Sequence, residues 1–224
     1  MTSADQAASG PAGRDRYHHG DLKEALIQTA VELLSERGTE AFSMAEASRR
    51  LGVAVSAPYR HFADRDALLA AVALRAASLL AEQLDRTASS GTPAERLAAA
   101  ARAYVRFADV QRALFRALAG TALNKDSHPE IARAAQSIGA VFLSPSAALA
   151  SGSQAAAARL AAAIVATAHG HATLMLDGTF GSGPGAAQAA ADQAAAATVA
   201  LISGREFLAP RLPAADQPAN EATT

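Results

Sequence analysis

Apolar residues return at helical intervals along most of the chain. Leu22, Leu26, Ala30 and Leu33 form one stripe, which predicts a first helix over 21–37 that Gly38 ends as a left-handed C-terminal cap. Asp21 stands where the cap of that helix belongs, with Glu24 three residues on. A second helix follows from Ser43 and Glu46, the spacing of a capping box, with Phe42 placed to staple onto Ala47; it stops at Gly52. A third, short helix is expected between Ala54 and Phe62, where Pro58 falls in the first turn and has no intrahelical bond to lose. Asp64 caps a fourth that carries Leu68, Leu69, Val72, Leu79 and Leu80 toward Leu84. After a Ser/Gly linker at 87–92, Pro93 opens a series of further helices over 93–110, 112–119, 129–143, 154–176 and 186–206. The breakers between them are 124–128, Ser144-Pro145, 151–153 and the glycine-rich 181–185. No repeat of fixed period is visible.

This pattern predicts an all-α fold. Residues 1–16 read as a disordered leader, 17–63 as a three-helix head, and 64–208 as a connecting helix with a helical bundle. Residues 209–224 read as a polar, Pro-bearing disordered tail. Composition sharpens the picture: half the residues are hydrophobic, yet alanine dominates them and aromatics are 4%. Alanine favours helix over strand and lets helices pack closely. The absence of cysteine removes disulfides, thiolate nucleophiles and thiolate zinc sites, and is compatible with a reducing cytoplasm. The N-terminus has no apolar core of a signal peptide. Leu160 to Leu176 holds no charged side chain, but His169, Gly170, His171 and its alanines read as a buried helix rather than a membrane span.

The net charge of −1 announces no polyanion partner, so any such footprint is local. It is found between Arg49 and Arg65, where Arg49, Arg50, Arg60 and Arg65 face a single acid, Asp64. The order there is capped helix, turn through Gly52, short helix, which is a helix-turn-helix. Such a unit lays its second helix in the major groove while the first crosses the backbone. A solvated arginine face on an ordinary helical protein is the plain alternative.

The run from Tyr17 to Ala73 resembles the N-terminal domain of the TetR/AcrR family. The landmarks are Gly38, the small-residue helix from Ser43 to Leu51, Gly52-Val53, Tyr59-Arg60-His61-Phe62 and Leu68-Leu69. The opening Tyr17-His18-His19-Gly20-Asp21-Leu22 is similar to a common subgroup. Ala168-His169-Gly170 and Leu176-Asp177-Gly178 resemble, more briefly, that subgroup's ligand-binding domain. The resemblance implies a homodimeric, ligand-responsive repressor that binds a pseudo-palindromic double-stranded operator. It implies backbone-contact roles for Tyr59 and His61, with Arg65 replacing a customary lysine and Arg49 a further phosphate candidate. Val55, Ser56, Ala57 and Arg60 would face base edges.

Two departures stand out. Ala54 replaces the usual Ser or Thr, which removes a cap worth about 1 kcal/mol. The reading positions offer thymine-methyl contacts at Val55 and Ala57 but a bidentate donor only at Arg60. Modest base readout would then be supplemented by DNA shape and by Arg14 and Arg16 reaching into a minor groove.

In the body, Phe107, Phe115, Phe142, His169 and Met175 are candidates for an effector cavity, with core filling as the alternative for each. Ala190, Ala194 and Ala197 are candidates for a dimer interface built as a four-helix arrangement. No metal or cofactor is expected: His18-His19 beside Asp21 lacks a third ligand, and His169 and His171 diverge on a helix. The Gly181–Gly185 loop follows no strand and is not a phosphate cradle. No catalytic constellation appears, which disfavours a small all-α enzyme; a helical interaction module without DNA is the stronger rival. The expected partners are operator DNA, an unidentified small molecule and a second copy of the chain, in the cytoplasm.

Overall fold

A computed structural model describes residues 19–38, 42–120 and 129–208. The leader, the Arg14/Arg16 arm, His18 and the tail lie outside the described residues. Among those described there are helices and turns and no strand. Eight α-helices follow in order: α1 (His19–Arg37), α2 (Met44–Leu51), α3 (Arg65–Thr87), α4 (Pro93–Val110), α5 (Arg112–Gly120), α6 (Pro129–Leu149), α7 (Gln154–Leu176) and α8 (Ala186–Ser203).

The local reasons for these elements are mostly those of the sequence. Ser43 accepts the Glu46 amide and caps α2. Asp64 caps α3 by accepting the amide of Ala67 at 2.8 Å. Ser153 does the same for α7. At α4 both halves of a capping box are closed: Thr92 Oγ1 accepts the Glu95 amide, and the Glu95 carboxylate accepts the Thr92 amide at 2.8 Å. Pro93 sits at the first helical position there, where its missing amide costs nothing.

Four expectations need correction. First, α1 begins at His19, so Asp21 lies inside the first turn and does not precede it. Second, the regular helix expected over 54–62 shrinks to the 3-10 turn Pro58–Arg60. Ala57 donates to the Ala54 carbonyl at 2.8 Å, but Pro58 has no amide to carry that coil into an α-helix. Third, Ser144-Pro145 does not end α6, which runs on to Leu149 with Pro145 buried inside it. The proline removes one intrahelical bond, and burying its ring and the turn beyond it in the bundle offsets the loss. Fourth, α8 ends at Ser203, ahead of Gly204, and 205–208 is a separate 3-10 turn.

The helices share one apolar core. It begins in the head with Leu26, Leu33, Phe42, Met44, Ala47 and Phe62, passes along α3 through Leu68, Val72, Leu80 and Leu84, and continues into the body around Phe107 and Phe142. At 23 residues α3 is about 35 Å long. It is the described helix whose length and composition would suffice to cross a membrane, yet half of that apolar window is buried against its neighbours. In the body α4 lies centrally, packed against α8, α7, α6, α3 and α5. The short α5 touches both the body and α1 of the head.

Candidate DNA-reading surface and effector cavity

The helix-turn-helix is built around Gly52, which adopts φ 65°, ψ 28°. That left-handed turn lets the Val53 amide reach the Ser48 carbonyl at 3.0 Å and closes the end of α2. Pro58 and Phe62 are buried and pin the coil that follows. Lys23 of α1 lies 5.9 Å over the Phe62 ring. The coil turns its remaining side chains outward: Val55 is 55% exposed and Tyr59 53%, with Ser56 and Arg60 exposed beside them. Ala57 is half-buried.

The arginines divide into two kinds. Arg50 forms a two-pronged pair with Glu36 at the end of α1, 2.7 Å in each prong. That hydrogen bonding holds the Glu36 carboxyl below the usual carboxylate range. Arg49 pairs with Glu46 of its own helix, and its side chain stays 70% exposed. The half-buried Arg65 donates Nε–H to the Phe42 carbonyl at 3.1 Å and lies over the Phe42 ring. Its position braces the start of α3 against the segment before α2, a structural duty the sequence did not reveal. The Arg60 side chain makes no hydrogen bond or ion pair within the described residues. His61 turns inward, and its Nε2 is enclosed without a partner, which takes it away from the outward face assigned to it.

In the body the five candidate cavity residues separate as well. Phe107, Phe142 and Met175 are packed into the core. Phe115 and His169 line a cavity of about 440 Å³ together with Ala113, Arg116, Ala119, Thr173, Leu176 and Asp177. Leu34 and Gly38, from the end of α1, complete its wall. Its volume falls within the range of small-molecule sites, roughly 300–1,000 Å³. His169 also borders an open groove of about 720 Å³ between α6 and α7, lined mainly by alanines with Val165 and Leu143.

Tyr104 is the residue the sequence reading missed. Its hydroxyl lies 3.1 Å from His169 Nδ1, and its ring stands edge-on to Phe115 with centroids 5.8 Å apart. The His169 and Phe115 rings are 5.5 Å apart, so α4, α5 and α7 meet in one aromatic cluster at the cavity. Burial pushes the Tyr104 hydroxyl up to about 12. The sequence signal was available: Tyr104 follows Ala100 and Ala101 at core spacing and is one of only three tyrosines. His171 serves its own helix, with Nδ1–H donating to the Thr167 carbonyl at 2.8 Å and its ring stacked on Phe180. No metal-binding cluster occurs among the described residues.

The dimer candidates are also revised. Ala190 and Ala194 are fully buried against α4 and α7 within the chain, so they have no surface to give a second copy. Ala197 is half-buried. The exposed face of α8 runs instead through Ala189, Gln193, Ala196, Val199 and Ala200.

Comparisons with known proteins agree with this architecture. Residues 26–72 match the model of the bacterial regulatory proteins of the tetR family, and residues 97–218 match the tetracyclin repressor-like C-terminal domain. No curated protein matches the chain. A solved protein of unknown function from Rhodococcus sp. RHA1 is 29% identical, with 85% of this chain and 98% of that one covered and a TM-score of 0.68. A tetR-family regulatory protein from Rhodococcus RHA1 has the same fold at 19% identity, covering 80% and 96%, with a TM-score of 0.65. A possible TetR family transcriptional regulator from Streptomyces coelicolor A3(2) does so at 24%, covering 83% and 88%, with a TM-score of 0.55. With its head matched by one model of the family and more than half its length by another, the chain belongs to the TetR family of DNA-binding transcriptional regulators.

Proposed function

We propose that the protein is a cytoplasmic repressor that grips a pseudo-palindromic operator as a homodimer and releases it when a small molecule fills the 440 Å³ cavity. The observation that carries this reading is the wall shared by head and body: Leu34 of α1 and Gly38 just after it line the same cavity as Phe115 of α5 and His169 of α7. A molecule seated there touches the head directly. In a dimer the two reading segments must lie roughly 34–36 Å apart, one turn of B-DNA, to enter successive major grooves. Wedging α1 away from α5 changes that spacing. By linkage, the ligand weakens DNA binding by the factor by which DNA weakens ligand binding.

The DNA side rests on the exposed set Val55, Ser56, Tyr59 and Arg60, with Arg49 beside it. Val55 suits a thymine methyl, and Arg60 suits a guanine edge or a phosphate. The dimer contact is assigned to the outward faces of α7 and α8, a four-helix arrangement across a two-fold axis.

The test is a fluorescence-anisotropy titration against the DNA flanking the protein's own coding region, followed by selection from a random pool. Wild type is expected to bind with a clear salt dependence, and Arg60→Ala to flatten that dependence by about one counterion per head. Binding that is weak on every sequence and unaltered in Tyr59→Phe and Arg60→Ala would overturn the DNA-contact assignment.

A further inference from the structure

We infer that the molecule taken by this cavity carries a hydrogen-bond acceptor, a carbonyl or carboxylate oxygen, that meets the Nε2–H of His169, on an apolar body. The inference rests on the cavity being the effector site.

The direction of one hydrogen bond decides the chemistry. Tyr104 is 7% exposed, and His169 Nδ1 at 3.1 Å is the one acceptor its hydroxyl meets among the described residues. An enclosed hydroxyl gives its proton to the acceptor in reach, because a buried donor left unpaired is costly. Tyrosine keeps that proton across the physiological range. The bond therefore runs from the Tyr104 hydroxyl to a bare Nδ1, and the neutral imidazole carries its own proton on Nε2. Tyr104 is thus a positioning residue that fixes the tautomer of His169.

Nε2 forms no hydrogen bond among the described residues. Nor is it one of the enclosed unpartnered atoms, which are His61 Nε2, Ser146 Oγ and Arg159 Nε. It is open to the space that His169 lines. His169 borders both the cavity and the α6–α7 groove; we assign the ligand to the cavity, which the neighbouring Phe115 ring lines and the groove does not share. The cavity wall carries the apolar Phe115, Ala113, Ala119, Leu34 and Leu176, together with the exposed Thr173. Arg116 and Asp177 are exposed and opposite in charge, so they favour no ionic sign together. An oriented donor in a largely apolar wall rewards an acceptor and penalises an isostere that leaves the N–H dry and unpaired.

The probes are 2-acetylnaphthalene and 2-ethylnaphthalene, which share the naphthalene body and differ in the carbonyl oxygen, titrated calorimetrically into the full-length protein. The acetyl compound is expected to bind about tenfold tighter or better. His169→Phe is expected to abolish the difference while retaining the ethyl compound, which also reports an intact cavity. Imidazole nitrogen-15 spectra should place the His169 proton on Nε2 in wild type, with the Nδ1-protonated form appearing in Tyr104→Phe. Equal affinity for the two probes, discrimination surviving His169→Phe, or a wild-type ring protonated on Nδ1 would each overturn the acceptor assignment and leave the cavity as a binding site. Failure of both probes to bind would overturn the effector-cavity reading itself, and this inference with it.

Discussion

Replacing Gly52 isolates the backbone cost of the helix-turn-helix turn. The residue sits at φ 65°, ψ 28°, and a Cβ built there meets nothing within 4 Å. Collision therefore adds nothing, and only the left-handed conformation opposes a side chain. For an ordinary L residue that conformation costs about 1–2 kcal/mol. Alanine also stiffens the unfolded chain, an effect worth about 0.4–1 kcal/mol in the opposite direction. Gly52→Ala should thus destabilise by roughly 1 kcal/mol net, and Gly52→Asn by less, because asparagine visits the left-handed region more readily. Urea unfolding at matched protein concentration reads this as a lower midpoint with an unchanged slope. Gly91 supplies the contrast: its φ is 94°, and a Cβ there would stand 2.8 Å from Glu95 Oε2, the oxygen that closes the capping box of α4. Gly91→Ala should therefore lose more than Gly52→Ala. If Gly52→Ala is as stable as wild type, or Asn as damaging as Ala, the left-handed turn is not what holds α2 in place.

Two further outcomes follow from charged groups. Arg65→Ala should lower thermal stability as well as DNA affinity, since it frees the Phe42 carbonyl and uncovers the Phe42 ring; Arg60→Ala should affect DNA affinity alone, with melting unchanged. Hydrogen bonds from the Thr92 amide and then the Thr92 hydroxyl hold the Glu95 carboxyl below its ordinary range. Because its folded pKa is depressed, the stabilisation is present above the unfolded glutamate pKa and is lost as pH falls through the folded one. Acid titration of the melting temperature should show part of that loss removed in Glu95→Gln, and an unaltered acid profile would refute the capping role.

Where local chemistry decides an element, the sequence was readable. Ser43, Gly52, Asp64 and Ser153 mark helix ends that the structure places within a residue or two. Failures came where tertiary packing overrides a local rule. Pro145 looked like a breaker, but its surroundings keep α6 intact around it. The alanines of α8 looked like an interface because alanine permits close approach, yet a pattern of alanines does not say whose helix approaches. Ala190 and Ala194 face the chain's own α4 and α7. The arginine cluster was legible as charge and illegible as pairing, since Glu36 is fourteen residues from Arg50 and Phe42 twenty-three from Arg65. Tyr104 and His169, sixty-five residues apart, meet only because α4 and α7 cross.

That crossing bears on how a ligand could act at a distance. A ligand shifts an equilibrium between two states only by the difference in its affinity for them. A cavity enclosed wholly within the body would offer nearly the same walls whether or not the head was seated on DNA. Here Leu34 and Gly38 belong to the head, so the size of the cavity depends on how α1 lies against α5. On the proposed reading the difference in affinity arises at the wall itself, and a hundredfold preference for one head position would be about 2.7 kcal/mol. The connecting helix α3 is not needed as the sole lever, although it shares its core with both units. Shortening contact at Leu34 separates the two routes. Leu34→Ala should weaken the coupling between ligand and DNA by more than it weakens probe binding, while leaving the Tyr104–His169 bond in place. Coupling that persists undiminished in that variant would assign the transmission to α3 alone.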